Sequence, residues 1–331
     1  MNSYRFISGC KVILFLSITY RNSLFLYLKR NYSLIFIKWL TLVIGKFYVS
    51  LQVIICYITF VMTATDNNLY DKKLRLTIRF SRNSMALAVG DPQENGTLVY
   101  EPYDMNMGIS IAANLREAFK VSELLQSGYK RLLATIDTPV MLMPTDDFGT
   151  QDIETLYHHT FKRQGNEEIL SSILPDLNAV AVFAINKDLK LVIDDHFNDI
   201  RLQPLMQSVW THLYRRSYAG PRRKLYAYFH DKRMEVFSFQ QNRFRFSNSY
   251  EVTNEHDALY FLLYIWKLTG MDTEKDELYL VGDLPYQEWL LKKAKEHLKF
   301  CRVLDQEVYF NNSQLAKRSE IPYDMKTIYL E

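Results

Sequence analysis

The sequence predicts an α/β protein built as two similar lobes, because one order of elements occurs twice. Three short strand-like runs, an amphipathic helix and a further strand start at Leu74, and the same order starts again at Lys224. Internal duplication of this kind is a stronger guide to architecture than any single motif. The composition supports it: 331 residues, 48% hydrophobic and 14% aromatic, are enough for about two domains with a substantial core. A charged fraction of 23% argues against a disordered chain.

The first lobe is expected over residues 71–217. Residues 74–80 alternate Leu74, Leu76, Ile78 and Phe80 with Arg75, Thr77 and Arg79, the period of a half-buried strand. Residues 84–89 and 98–103 repeat the strand signal, and Asn95-Gly96 between them is a hairpin turn. Residues 109–125 place Ile111, Leu115, Ala118, Phe119 and Leu125 at helical spacing, with Gly128 as the stop. Residues 131–136 and 140–143 read as a buried strand region interrupted by Pro139. A helix over 150–163 follows, then a strand over 180–185, a turn at Asn186-Lys187-Asp188, a strand over 189–193 and an amphipathic helix over 202–214.

The second lobe is expected over residues 218–331. The stretch 215–224 contains the Gly220-Pro221 turn and five cations, Arg215, Arg216, Arg222, Arg223 and Lys224. It reads as a solvated crossover, with an anion site as the alternative. Strands follow over 225–229, 234–239 and 243–247, joined by turns at Asp231-Lys232 and Gln241-Asn242. A helix over 258–268 ends near Gly270, and a strand over 277–281, a helix over 286–300 and a short strand around Val303 complete the repeat. The aromatics Tyr226, Phe229, Phe237, Tyr260, Phe261, Tyr264 and Trp266 follow these periods and are expected in the core.

Charge is unevenly placed. Residues 1–65 hold Arg5, Lys11, Arg21, Lys29, Arg30, Lys38 and Lys46 and no acid, so a net charge of +3 overall leaves −4 for the remainder. No global basic field points to nucleic acid. Cys10, Cys56 and Cys301 are odd in number and far apart, which gives no disulfide framework or paired-cysteine knuckle and fits a reducing cytoplasm. Residues 1–65 form a hydrophobic extension. Within it, residues 34–62 are interrupted only by Lys38, Lys46 and Gln52 among long polar side chains, and are long enough to cross a bilayer of about 30 Å. Two readings stand: an inner-membrane anchor, or translation from a start codon upstream of a natural start at Met62. Membrane association is expected only under the first.

The segments LRLTIRFSRNSMALAV, ATIDTPVMLMPTDDF, VFAINKDLKLVIDDHF, KLYAYFHDKRMEVFSF and LYLVGDLPYQEWL resemble an uncharacterised bacterial family of the actin-like ATPase superfamily, domain of unknown function family 3822. The resemblance runs from about Asp71 to Glu331. It implies duplicated ribonuclease-H-like lobes, each a βββαβαβα core, with nucleotide in the cleft between them. In the superfamily, glycine-containing hairpins after the first strand of each half grip phosphate, because backbone N–H groups must approach its oxygens closely.

The matching turns here are Phe80-Ser81-Arg82-Asn83-Ser84 and Phe229-His230-Asp231-Lys232-Arg233, and neither contains glycine. Ser81, Asn83 and Ser84 permit a tight turn, while Arg82, Lys232 and Arg233 offer side-chain cations to a phosphate. Gly282 and Asp283 match the turn that approaches adenosine. ATP with Mg is the cofactor these residues imply if nucleotide binds at all. The missing glycines favour no cofactor and a non-catalytic pseudo-ATPase that binds an unidentified protein partner. The alternative is weak ATP hydrolysis, with Asp137 and Asp231 as candidate catalytic carboxylates, although Asp137 beside Pro139 reads foremost as a turn-stabilising residue. No metal site is expected. Neighbouring His158 and His159 diverge on a helix, as do Asp194, Asp195 and His196 at a strand end. Asp146 and Asp147 read as the start of a helix.

Overall fold

The computed structural model describes residues 74–330, apart from 91–97, 150–151, 164, 219 and 312. The extension over 1–65 and the Asn95-Gly96 turn lie outside the described residues. Asp71–Glu331 forms one unit.

β1 (Leu76–Phe80) is buried at every position, not half-buried as its alternation suggests. Leu76, Ile78 and Phe80 enter one core with Leu115 and Val192. Thr77 and Arg79 on the other face are covered by the C-terminal segment, as described below. β2 (Ser84–Val89) and β3 (Val99–Asp104) continue an antiparallel meander. The expected single helix over 109–125 is two. α1 (Ile111–Val121) is capped by the Ser110 side chain, which accepts from the Ala113 N–H. At Ser122 the backbone turns extended and the hydroxyl accepts from Leu125 N–H, starting α2 (Glu123–Gln126). A serine offering its own acceptor to the backbone is the usual reason for such a break.

β4 (Arg131–Ile136) runs parallel to β1. After Pro139 the chain leaves that sheet, so β5 (Val140–Pro144) belongs to a different one. α3 (Ile153–Thr160), capped by Asp152, precedes β6 (Glu167–Leu174) and β7 (Ala179–Asn186), giving a small antiparallel sheet of order β5-β7-β6. β6 was not anticipated, since EEILSSIL lacks strict alternation. The strand expected over 189–193 is instead part of α4 (Lys187–His196). Asn186 accepts from Leu189 N–H, and Leu189, Val192 and Ile193 bury one helical face. The run LKLVI fits either period, and the cap decides it. Asp194, Asp195 and His196 therefore occupy the last turn of a helix, not a strand end. β8 (Asp199–Pro204) pairs parallel with β4 before α5 (Met206–Ser217) begins.

The second lobe repeats the first. β9 (Lys224–His230), β10 (Arg233–Gln240) and β11 (Arg243–Glu251) form the meander, α6 (Glu255–Leu268) follows, then β12 (Glu277–Gly282), α7 (Gln287–His297) and β13 (Phe300–Val303). The sheet orders β3-β2-β1-β4-β8 and β11-β10-β9-β12-β13 are the same pattern. Two-residue turns at Asp231-Lys232 (φ 45° and 61°) and Gln241-Asn242 (φ 48° and 59°) close the hairpins, the left-handed pair whose twist suits such connections. Leu225, Ala227 and Phe229 pack towards Leu262, Ile265 and Leu290. Tyr226 and Tyr228, on the opposite face, pack towards Trp210 and Leu213 of α5.

After α8 (Gln306–Tyr309), α9 (Tyr323–Tyr329) returns to the first lobe. Met325 and Tyr329 cover Ala86 and Ala88, and the Tyr329 hydroxyl donates to Thr77 Oγ1 at 2.6 Å. The Ser208 hydroxyl of α5 donates to the Asp324 carbonyl at 3.1 Å. Each half thus ends in a helix that covers the sheet of the other half. One expectation needs correction. Tyr260 and Tyr264 are 64% and 50% exposed on the outer face of α6, stacked with ring centroids 6.2 Å apart, and are not core. The crossover is solvated, as expected: Arg215, Tyr218, Gly220, Pro221, Arg222 and Arg223 are exposed. Arg215 pairs at the surface with Asp176, Arg222 with Glu277 and Arg223 with Asp276, and of the five cations only Lys224 is buried, donating to the Ser217 carbonyl.

Candidate functional site

The two hairpins matched to phosphate loops touch each other. β1 and the turn after it carry Arg79 and Ser81 to one side of the lobe junction, and the β9–β10 turn carries Asp231 to the other. Ser81 Oγ donates to Asp231 Oδ2 at 2.5 Å, and Arg79 Nη2 reaches the same oxygen at 3.0 Å. Arg79 Nε lies 2.9 and 3.0 Å from the two oxygens of Asp324 at the start of α9, which also accepts from the Tyr228 hydroxyl at 2.9 Å. One buried guanidinium therefore ties the first lobe, the second hairpin and the C-terminal helix together.

A second cation sits on the other flank. Arg233 Nη1 donates to Asp137 Oδ1 at 2.9 Å, and its Nη2 lies 3.3 Å from Glu235 Oε1. Ser249 bridges the two, accepting from Arg233 and donating to Glu235 at 2.7 Å. Asp137 is held at the end of β4 by its N–H, which donates to the Phe80 carbonyl. It is therefore an interlobe ion-pair partner and not simply a turn residue. His230 lies between the clusters, with Nδ1 3.5 Å from Asp231 and Nε2 3.8 Å from Glu235.

The electrostatics follow from burial and pairing. Burial opposes the charge of Arg79, but Asp324, Tyr228 and Asp231 outweigh it and hold the guanidinium protonated. Burial would likewise raise the carboxyls of Asp231 and Glu235; His230 with Arg79 and Ser81, or His230 with Arg233 and Ser249, bring both below the usual range. For His230, burial disfavours the cation, yet Asp231 and Glu235 raise it to about 9. Asp283 moves the other way: desolvation and the Asp324 carboxylate push it up. The junction carries an excess of negative charge that reaches its rim.

The remaining expected site residues are dispersed. Arg82 points outward to Glu251 at 2.8 Å, and Asn83 and Lys232 are exposed. Ser84 Oγ receives a long 3.4 Å contact from Arg79. Gly282 (φ +88°) pairs with Phe229 at the end of β12, and a Cβ there would meet the Phe229 carbonyl oxygen at 2.3 Å. Its lack of a side chain is a packing requirement of the sheet. His158 lies 3.5 Å from Glu167 and 3.9 Å from Glu154, whereas His159 is exposed, so the pair diverges. Sequence reading missed Arg79, Tyr228, Glu235 and Asp324. Arg79 carried one signal, a charged residue inside a strand of buried neighbours; Asp324 is 245 positions from its partner and carried none. Also missed was a possible ligand set: Asp137, His230 and Asp231 each offer one ligand atom, all within 4.8 Å of one another.

Beside Arg233 a groove of about 620 Å³ opens between the lobes, walled by Leu142, Trp210, Phe244 and Phe246. Among the described residues no helix is long and apolar enough to cross a membrane.

Against known proteins, no curated sequence matches this chain. Among solved structures, it is similar to a Bacteroides thetaiotaomicron protein with actin-like ATPase fold and unknown function, at 23% identity and TM-score 0.68, covering 79% of this chain and 97% of that one. The PilM-PilN type IV pilus biogenesis complex matches at 10% identity and TM-score 0.49, over 72% and 90% of the respective chains. The cytoplasmic domain of EpsL, an inner-membrane component of the Vibrio cholerae type II secretion system, matches at 11% and TM-score 0.37, over 64% and 84%. The first likeness agrees with the duplicated sheet order in establishing the actin-like ATPase fold. The sequence profile described as "Protein of unknown function (DUF3822)" matches residues 64–301, most of the chain, and the protein belongs to that family.

Proposed function

We propose that this protein is a non-catalytic binding or scaffold protein, a pseudo-ATPase in which side chains occupy the place of a nucleotide phosphate. The carrying observation is the direct bond from Ser81 to Asp231, reinforced by Arg79, across the junction of the two hairpins. A phosphate there would have to displace a carboxylate already paired with the nearest cation. It would also find hairpins without glycine, whose N–H groups are not arrayed as an anion nest. Mg-ATP does not fit this arrangement. Phosphoryl transfer needs preorganised donors and a metal held about the β- and γ-phosphates, and here one oxygen of Asp137 is taken by Arg233 and one of Asp231 by Arg79 and Ser81, with no backbone nest beside them to hold the phosphates. The groove beside Arg233 and the exposed pair Tyr260 and Tyr264 support a protein partner. The odd number and wide spacing of Cys10, Cys56 and Cys301 in the sequence support a cytoplasmic location.

The expected result of a phosphate-release assay with ATP and Mg is a rate equal to the no-enzyme control. Release above that control, abolished by Asp231→Ala or Asp137→Ala in protein of unchanged circular dichroism, would establish the alternative, a weak ATPase.

A further inference from the structure

The junction holds buried polar atoms that make no hydrogen bond, although His230 lies within ion-pair reach of Asp231 and Glu235. His230 is 3% exposed, and neither of its ring nitrogens makes a hydrogen bond. The Asp137 side chain is 4% exposed, and its Oδ2 is buried without a hydrogen-bond partner while Oδ1 serves Arg233. Buried polar groups are nearly always satisfied, so two unsatisfied neighbours at one point call for an explanation. Both lie with Asp231 in a cluster whose ligand atoms fall within 4.8 Å of one another. Three such atoms share a centre at most about 2.8 Å from each, so coordination at about 2.0–2.2 Å needs shifts of only about 0.7 Å.

The charges agree with the geometry. Asp137, Asp231, Glu235 and Asp324 face two guanidinium groups, Arg79 and Arg233. Ligation would displace the proton of His230, and with the imidazole neutral the cluster has two uncompensated negative charges, which a divalent cation would cancel. We propose that Asp137, His230 and Asp231 bind one divalent first-row transition-metal ion directly, without nucleotide. An imidazole with two carboxylates suits zinc or manganese; it is too poor in oxygen for calcium and selects against magnesium, which prefers oxygen ligands. The ion ties the end of β4 to the β9–β10 turn, a bolt between the lobes. This proposal does not rest on the scaffold reading, since metal binding in the absence of nucleotide is measured separately from ATP binding.

The test is calorimetric titration of the full chain, stripped with chelator and returned to chelator-free buffer, with zinc, manganese and magnesium chlorides. The expected result is one zinc ion per chain, bound at least tenfold more tightly than magnesium, with a higher thermal midpoint. Asp137→Asn keeps an acceptor for Arg233 and His230→Gln keeps a polar side chain of similar length; each should weaken zinc at least tenfold. Cobalt should give a visible absorption band that His230→Gln removes. Absence of saturable zinc and manganese binding would overturn the proposal and leave His230 as an imidazolium between Asp231 and Glu235. Equal zinc affinity in wild type, Asp137→Asn and His230→Gln would also overturn it, by placing the ion elsewhere.

Discussion

Arg79→Ala is expected to destabilise the protein by about 3–5 kcal/mol, the range seen when one member of a buried ion pair is removed and its partner is left without compensation. The Arg79 and Asp324 side chains are only 4% and 3% exposed. Alanine at 79 would strand Asp324 and remove one of the two donors on Asp231. Three separate parts of the chain lose their common tie at once. Arg82→Ala is the comparison: its pair with Glu251 is 47% and 71% exposed, and loss of such a pair costs about 0–1 kcal/mol. Urea unfolding of both variants measures the contrast. Combining Arg79→Ala with Asp324→Ala should cost clearly less than the sum of the single changes, because both remove the same interaction. A loss below about 1 kcal/mol for Arg79→Ala, the value for an exposed pair, would show that the network does not hold the lobes.

Gly282→Ala should be nearly as damaging, about 2–5 kcal/mol, from a strained left-handed backbone and an overpacked contact acting together. The added Cβ would lie 2.3 Å from the Phe229 carbonyl oxygen and 2.7 and 2.9 Å from the Tyr228 ring. The carbonyl belongs to a paired strand and also accepts the Asp283 N–H at 2.9 Å, so it cannot move aside freely. Gly220→Ala separates the two causes: Gly220 also has positive φ (+86°), but nothing lies within 4 Å of its Cβ position. It should lose only the backbone term, about 1–2 kcal/mol. Equal losses for the two variants would mean that the contact with Phe229 and Tyr228 yields at no cost.

The strands of both meanders and the helices over 258–268 and 286–300 were legible because their burial is local and periodic. Where a segment fitted two periods, as at 189–193, the deciding feature was a cap at Asn186, a single polar side chain with no weight in a hydrophobic pattern. Tyr260 and Tyr264 were misread for a related reason: α6 is apolar on most of its surface, so periodicity does not say which side faces solvent. The site was legible as two hairpins without glycine, and both turns are where the repeat placed them. Its chemistry was not, because Arg79, Asp231 and Asp324 come from a first strand, a ninth-strand turn and the last helix. Pairing across such separations depends on the return of α9 to the first lobe, and local sequence carries no trace of that return.

The central claim is that side chains of the protein stand where a nucleotide phosphate would bind between the hairpins. Calorimetric titration of the full chain with Mg-ATP tests it most directly. The account predicts no saturable heat up to millimolar nucleotide. One-site binding in the micromolar range, weakened when Lys232 and Arg233 are both changed to Ala, would contradict it and restore the junction as a nucleotide site.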